Sequence, residues 1–298
     1  MSEYRYEYLF PVPLSGSREE IFRAMTTAEC LREWFAEHAE IGTAVGEPFR
    51  FWGRFTYGLP SREQADQQIR GWQVNDRVSF SWRLLDRDTD VTWSVIEERG
   101  DDGPVQKFKV THSFPTLPDQ SRPEALIDDL WRIYTGCLCF YLKGDQDFYR
   151  PDFGDDSPEV RCELVINAPP SRVFAALIEP DQIKKWFPAP NPSVDPRVGG
   201  EYGFGLSYEV DGEKVEPPPM TISAFEPDHV LEMNWPDWRT DPNVPDQTIR
   251  WELTNLGDGR TRLLLRHFGF TRAVDVSDYP FGWQEFLDKI QQVAEGQA

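Results

Sequence analysis

The same residues recur in the same order about 152 positions apart, and a chain that repeats itself builds one small architecture twice. Ile21-Phe22 and Val173-Phe174 stand 152 residues apart, as do Trp34-Phe35 and Trp186-Phe187. Val45-Gly46 matches Val198-Gly199 at 153, Trp82 matches Trp235 at 153, Trp93 matches Trp251 at 158 and His112 matches His267 at 155. Gly136, Phe140 and Lys143 pair with Gly282, Phe286 and Lys289 at 146. Offsets that drift by a few residues are what loop insertions produce. The expected domains are therefore 1–143 and 159–298, with 144–158, rich in Asp, Gly and Pro, as the linker.

Periodicity assigns elements within each copy. Tyr4, Tyr6, Tyr8, Phe10 and Val12 alternate with other residues, as do Cys162, Leu164 and Ile166, which predicts a half-buried first strand. Ser17 and Glu20 have the spacing of a capping box opening a helix over 18–25. Pro169-Pro170 precedes its counterpart over 171–177. A second short helix is expected to end at Trp34-Phe35 and at Trp186-Phe187. Strands follow. Phe49, Phe51, Phe55 and Tyr57 share a phase, as do Tyr202, Phe204, Leu206 and Tyr208. Val78, Phe80 and Trp82 alternate with polar residues, like Leu231, Met233 and Trp235. Val91, Trp93 and Val95 match Ile249, Trp251 and Leu253; Phe108, Val110 and His112 match Leu263, Leu265 and His267. Polar-out alternation predicts antiparallel strands with one dry face. Turns are expected at Gly100-Asp101-Asp102-Gly103 and Gly257-Asp258-Gly259. Helical spacing closes each copy through Leu126, Leu130, Ile133, Tyr134 and Cys137, and through Trp283, Phe286, Leu287, Ile290 and Val293. The fold class is α+β: two tandem domains, each a curved antiparallel sheet on a long C-terminal helix, with two short helices after the first strand.

Charge narrows the partners. The chain of 298 residues has 51 acidic and 31 basic side chains, a net −20, which repels phosphate backbones and anionic lipid surfaces. Nucleic acid and membrane are not expected partners. No apolar stretch approaches the ~20 residues of a membrane span. The N-terminal MSEYRYEYLF has no apolar signal core, so a cytoplasmic location is expected. Cys30, Cys137, Cys139 and Cys162 form no CxxC and read as reduced, packed thiols.

The order of elements, with Ala168-Pro169-Pro170, Val173-Phe174, Trp186-Phe187, Val198-Gly199-Gly200, Leu265-Arg266-His267, Gly269-Phe270 and Gly282-Trp283, resembles the START-like, Bet-v-type helix-grip superfamily (SRPBCC). Within it the chain is similar to the branch named for the C-terminal domain of the activator of the heat-shock ATPase. The first copy departs in having Glu47 for the second glycine and Gly136-Cys137 for Gly-Trp. The resemblance implies a cavity between sheet and terminal helix that binds apolar or aromatic small molecules. Some superfamily members use that cavity as cyclases or hydratases.

In the second copy the expected ligand-binding residues are Trp186, Phe187, Phe204, Met233, Trp235, Trp251, Leu265, His267, Trp283 and Phe286. Their first-copy equivalents are Trp34, Phe35, Phe51, Phe80, Trp82, Trp93, Val110, His112 and Phe140. Aromatic walls with few polar groups suit an apolar ligand, and the same rings also suit ordinary packing. A dry void of about 300 Å³ would cost roughly 7 kcal/mol, so the interior is either occupied or closed by its own rings. The first copy, with Phe49, Phe51, Trp52, Phe55 and Tyr57 clustered, is expected to be the closed one. His112 and His267 face inward; His267 is the candidate acid or base of an enzymatic reading, against a packed histidine satisfied by its neighbours. His38 and His229 are unmatched between copies and no metal-ligand spacing occurs, so neither metal nor cofactor is expected. Glycines 199–205 lack GxGxxG spacing and read as a turn with bulges. Three readings stand: a binder of a small apolar or aromatic molecule, an enzyme using an inward histidine, and an interaction protein whose partner is a chaperone or a second copy.

Overall fold

A computed structural model describes residues 3–101, 103–117, 121–210, 213–239 and 241–297. Asp102 of the first expected turn and the side chain of Tyr208 lie outside that description. The chain divides into two compact units, Met1–Asp156 with Arg272–Asp278, and Ser157–Thr271 with Tyr279–Ala298.

In the first unit β1 (Tyr4–Leu9) is followed by α1 (Arg18–Thr26) and α2 (Ala28–Trp34). Then come β2 (His38–Ile41), β3 (Phe49–Trp52), β4 (Ile69–Gln73), β5 (Arg77–Leu84), β6 (Arg87–Gly100), β7 (Gly103–Phe114) and α3 (Pro123–Lys143). The sheet order is β1-β7-β6-β5-β4, antiparallel throughout, with β2 and β3 as a separate pair. The second unit runs β8 (Val160–Ile166), α4 (Pro170–Ile178), α5 (Pro180–Trp186), β9 (Ser193–Val194), β10 (Glu201–Gly203), β11 (Tyr208–Val210) and β12 (Glu213–Val215). It continues with β13 (Met220–Glu226), β14 (Val230–Trp235), β15 (Gln247–Gly257), β16 (Arg260–Phe268) and α6 (Tyr279–Glu295). Its sheet order is β8-β16-β15-β14-β13-β10-β9, with β11–β12 a separate hairpin. Each unit is a helix-grip domain: the first strand pairs with the last, and the long helix covers the apolar face.

Local chemistry explains the helix starts. The Ser17 backbone N–H donates to Glu20 Oε2 at 2.7 Å and Glu20 N–H donates to Ser17 Oγ at 3.2 Å, so the capping box forms as expected. In α4 Pro170 stands at the first helical position, where a missing N–H leaves nothing unpaired. In both copies the second helix is tied back by its last tryptophan: Trp34 Nε1 donates to Ala24 O at 3.0 Å, and Trp186 Nε1 to Ala176 O at 2.8 Å.

The duplication extends to single backbone bonds. Gly46 N–H donates to Ile69 O at 2.9 Å and Gly199 N–H to Ile222 O at 2.8 Å; Ile69 and Ile222 return the bond to Glu47 O and Gly200 O at 2.9 Å. A bulge follows in both copies, between Ile69 and Gly71 and between Ile222 and Ala224. Two expected strands are shorter than their alternation suggested. Gly53, at φ +107°, follows the last residue of β3, and Gly205, at φ +62°, lies just beyond β10. A side chain at Gly205 would press on Asn191 O, 2.5 Å away. Phe55, Tyr57 and Leu206 therefore belong to loops.

Of the expected linker 144–158, residues 144–156 belong to the first unit. Arg150 Nη2 donates to Arg32 O at 2.7 Å and Ala36 O at 3.1 Å, its guanidinium stacks 4.0 Å from the centre of Phe55, and Phe153 N–H donates to Arg54 O at 2.9 Å. An isolated Asp/Gly/Pro-rich composition does not reveal such an anchor.

Gly200 is the tightest of these backbone approaches, since a Cβ there would sit 2.0 Å from Asp195 O. Gly199 beside it faces open space at φ +77°. Gly200→Ala is expected to cost about 2–3 kcal/mol in urea unfolding, and Gly199→Ala about 1 kcal/mol from backbone strain alone.

Candidate functional site

Each long helix is joined to its sheet by an indole–imidazole bond. In the second unit α6 carries Trp283, whose Nε1 donates to His267 Nδ1 at 3.1 Å, and His267 Nε2 lies 3.1 Å from Gln247 Oε1. Because Nδ1 accepts, the proton of the neutral ring is on Nε2 and is donated to Gln247. In the first unit Trp131 Nε1 donates to His112 Nδ1 at 3.1 Å, and His112 Nε2 lies 2.8 Å from Thr89 Oγ1. Thr89 passes its own proton to Trp82 O at 2.5 Å. Both imidazoles are buried, and desolvation holds each far below the ordinary histidine value, at about 3. Every ring nitrogen is engaged.

The indole pair corrects the register read from sequence. Trp131 stands 152 residues before Trp283, so Gly136-Cys137 does not replace Gly-Trp in the first copy. The counterpart of Phe286 is Tyr134, not Phe140. Tyr134 meets Phe35 at 4.4 Å between ring centres, as Phe286 meets Phe187 at 4.8 Å. Phe140 is buried six residues further along α3. A single shared glycine is too weak a marker to align two amphipathic helices.

Trp283 also fills the space that a central cavity would need. Its ring lies 5.6 Å from Trp251 and 5.4 Å from Trp235. Trp186, Met233, Trp251, Leu265 and His267 are buried in the same packed interior. The cavity of the second unit, about 300 Å³, opens instead at the far edge of the sheet. Its walls come from β10 and the residues after it (Tyr202, Phe204, Leu206), from Pro217-Pro218-Pro219 and Met220 leading into β13, and from Trp235, Pro236 and Trp238 after β14. No residue of α6 lines it among the described residues. Of the ten residues expected to bind ligand, Phe187, Phe204 and Trp235 line it. Phe187 and Phe204 stack at 3.9 Å as its inner wall. Phe286 packs behind them, and Trp235 is oriented by its Nε1–H donating to Tyr279 Oη at 3.1 Å. Tyr202, Met220, Trp238 and the prolines were missed. The proline run beside a glycine-interrupted strand was the available signal: Gly205, at φ +62°, ends the strand, and the Pro217–Pro219 segment faces it across the cavity.

In the first unit the corresponding region is closed. Trp34, Phe35, Phe51, Phe80, Trp82, Trp93, Val110 and His112 are all buried. Phe49 and Phe80 stack at 4.4 Å, and Phe51 meets Trp82 edge-on at 5.2 Å. The loop after β3 folds inward and buries Leu59, Ala65 and Gln67. Gln67, which occupies the place of Met220, donates to Phe51 O at 3.1 Å. Tyr134 supplies what Phe286 lacks: its hydroxyl donates to Phe55 O at 3.0 Å and accepts from Tyr57 N–H at 3.3 Å. The turn below uses a carboxylate where the second copy has Gly200: Glu47 Oε2 accepts from Thr43 and Ala44 N–H at 2.7 and 3.1 Å.

A sequence model of the family described as activator of Hsp90 ATPase homolog 1-like protein matches residues 15–135 and again 167–295. The chain belongs to that family. It carries the family's domain twice, over most of its length. No protein of curated function matches it. Among solved structures, protein MLL2253 from Mesorhizobium loti is 23% identical, covers 47% of this chain and 99% of its own, and has a TM-score of 0.38. DynU16, a protein in the dynemicin biosynthetic locus, is 18% identical over 99% of this chain and 95% of its own, with a TM-score of 0.38. The Aha1 dimer from Colwellia psychrerythraea is 18% identical over 47% of this chain and 98% of its own, with a TM-score of 0.37.

All four cysteines are buried and form no disulfide; burial pushes the Cys137 thiol up to about 12 and Cys162 to about 11. Among the described residues no three His, Cys, Asp or Glu side chains are grouped to hold a metal, and no helix is long and apolar enough to cross a membrane.

Two outcomes follow from this geometry. Between pH 6.5 and about 3 the unfolded chain binds protons that the buried imidazoles of His112 and His267 refuse. Their contribution is therefore present above pH 6.5 and is lost as pH falls through that window, at roughly 1.4 kcal/mol per pH unit for each histidine. Long-range nitrogen NMR should show both rings as the Nε2–H form, unchanged from pH 8 to 4.5. Separately, Tyr134→Phe should cost about 1–2 kcal/mol by leaving Phe55 O unpaired, and should speed hydrogen exchange at Tyr57 N–H.

Proposed function

We propose that the second unit binds a small apolar or aromatic molecule in the cavity between Phe204 and the Pro217–Pro219 loop. The observation that carries this reading is the cavity itself: about 300 Å³, walled by Phe187, Tyr202, Phe204, Trp235 and Trp238 and by four prolines. Walls of that kind give water few hydrogen-bond partners, so an apolar ligand that displaces the water gains free energy. Family membership supports the same reading through the helix-grip fold.

The geometry favours binding over proton-transfer catalysis. His267 lines no part of the cavity, both its nitrogens are occupied, and burial keeps it neutral. A general acid or base needs a proton near the reacting atom and a value near the working pH. Thiols that stay reduced and a net charge of −20 fit a cytoplasmic binding protein better than one that works on nucleic acid or a lipid surface. Membership in a family described by Hsp90 ATPase activation favours a second reading, association with such a chaperone. A change in chaperone ATPase rate on adding the full chain is its test.

The primary test is fluorescence titration of the full chain with N-phenyl-1-naphthylamine, whose naphthalene fits the cavity while its phenyl ring stays at the open mouth. Saturable uptake at one site is expected. Leu206→Trp, which places an indole in the mouth, should weaken it at least ten-fold, whereas His267→Gln should leave it within two-fold. Absence of saturable uptake by the folded protein would remove the reading.

A further inference from the structure

The charge of the cavity's occupant can be read from what its walls lack. Among the described residues Glu201 is the one charged side chain in the lining, which holds no Lys, Arg or His. Glu201 is exposed, and among the described residues its carboxylate makes no hydrogen bond or ion pair. The basic groups nearby are already engaged: Arg197 with Asp195 at 2.8 Å, Lys214 with Glu216 at 2.5 Å, and Arg239 stacked 4.1 Å from the centre of the Trp238 ring. Residues 159–298 carry 23 acidic and 13 basic side chains, so the field at the mouth is negative as well.

Inside, the polar supply is small. Tyr202 Oη donates to Leu177 O at 2.8 Å and Trp235 Nε1–H is spent on Tyr279; the other polar side-chain groups of the lining, besides Glu201, are the Ser193 hydroxyl and the Trp238 indole. A bound anion would lose water and gain no cationic partner, which is costly. A cation meets the opposite situation. The rings of Phe187, Phe204 and Trp235 supply negative π density, and one carboxylate stands at the entrance. Size sets a second limit. An apolar cavity of about 150 Å³ holds one benzene, so about 300 Å³ suits two rings.

Resting on the ligand-binding reading above, we infer that this cavity selects a flat two-ring molecule bearing one positively charged nitrogen, its rings between Phe204 and the proline loop and its charge against Glu201. Neutral analogues bind more weakly and anionic ones are rejected. Glu201 acts at the rim as the specificity-determining group, while the rings supply the affinity common to all three.

The experiment compares three ligands of nearly equal shape, 1-naphthylmethylammonium, 1-naphthylmethanol and 1-naphthoate, in competition with N-phenyl-1-naphthylamine on the full chain at low salt. The ammonium is expected to bind at least ten-fold more tightly than the naphthoate and several-fold more tightly than the alcohol, with the preference shrinking in 0.5 M salt. Glu201→Gln should bring the ammonium within two-fold of the alcohol and leave the alcohol unchanged. Equal binding of ammonium and alcohol to the native chain would overturn the charge selection while leaving the cavity as a ligand site. Selection that survives Glu201→Gln unchanged would overturn the role of that residue. If neither the naphthylamine probe nor any competitor binds to the folded protein, the ligand-binding reading itself falls.

Discussion

One hydrogen bond, made twice, joins helix to sheet: an indole N–H on the long helix meets an imidazole nitrogen on the last strand at 3.1 Å. It works only with a neutral ring whose free lone pair is Nδ1, so the proton must sit on Nε2 and find an acceptor there. Thr89 answers that need in the first unit and Gln247 in the second, at equivalent places on the strand next to the histidine. A buried polar group left unmatched would cost the fold more than the bond contributes. The three-residue relay therefore constrains the β6–β7 and β15–β16 registers, in which Val91 faces His112 and Ile249 faces His267. The depressed imidazole values follow from the burial of both rings.

Much of the architecture was legible in the sequence because sheets advertise themselves by alternation. Val78-Phe80-Trp82 and Leu231-Met233-Trp235 turn inward as the period of two requires. The capping box at Ser17 and the proline start of α4 are equally local signals. The register of the terminal helix was not legible. Glycine at 136 and 282 invited one alignment, while the bond that decides it links Trp131 to a histidine on a distant strand. Strand ends were misjudged at Phe55 and Leu206 because alternation continued across Gly53 and Gly205, whose positive φ turns the chain. The aromatic residues are densest beneath the helix, which is where the sequence points to a cavity. Density of rings is the mark of a filled interior, and the open space lies where glycine and proline keep side chains apart.

The two copies have separated through a few substitutions along equivalent surfaces. Phe80 faces the interior where Met233 does, Gln67 stands at the place of Met220, and Tyr134 at the place of Phe286. Each first-copy residue either adds a rigid ring or supplies a hydrogen bond that draws the loop inward. In the second copy the same loop begins at Gly205 and ends in three prolines, which have no N–H to give to such a bond.

The phenolic oxygen of Tyr134 has an evolutionary corollary. Once duplication supplies a spare module, an oxygen on the helix, with a few side chains beside it, can retire one vessel into a solid block. On the ligand-binding reading proposed above, selection on ligand chemistry then acts on the remaining vessel alone. Variation between related chains should accordingly gather around the proline-rimmed opening of the second half, while the first half changes under the stricter rules of a close-packed interior.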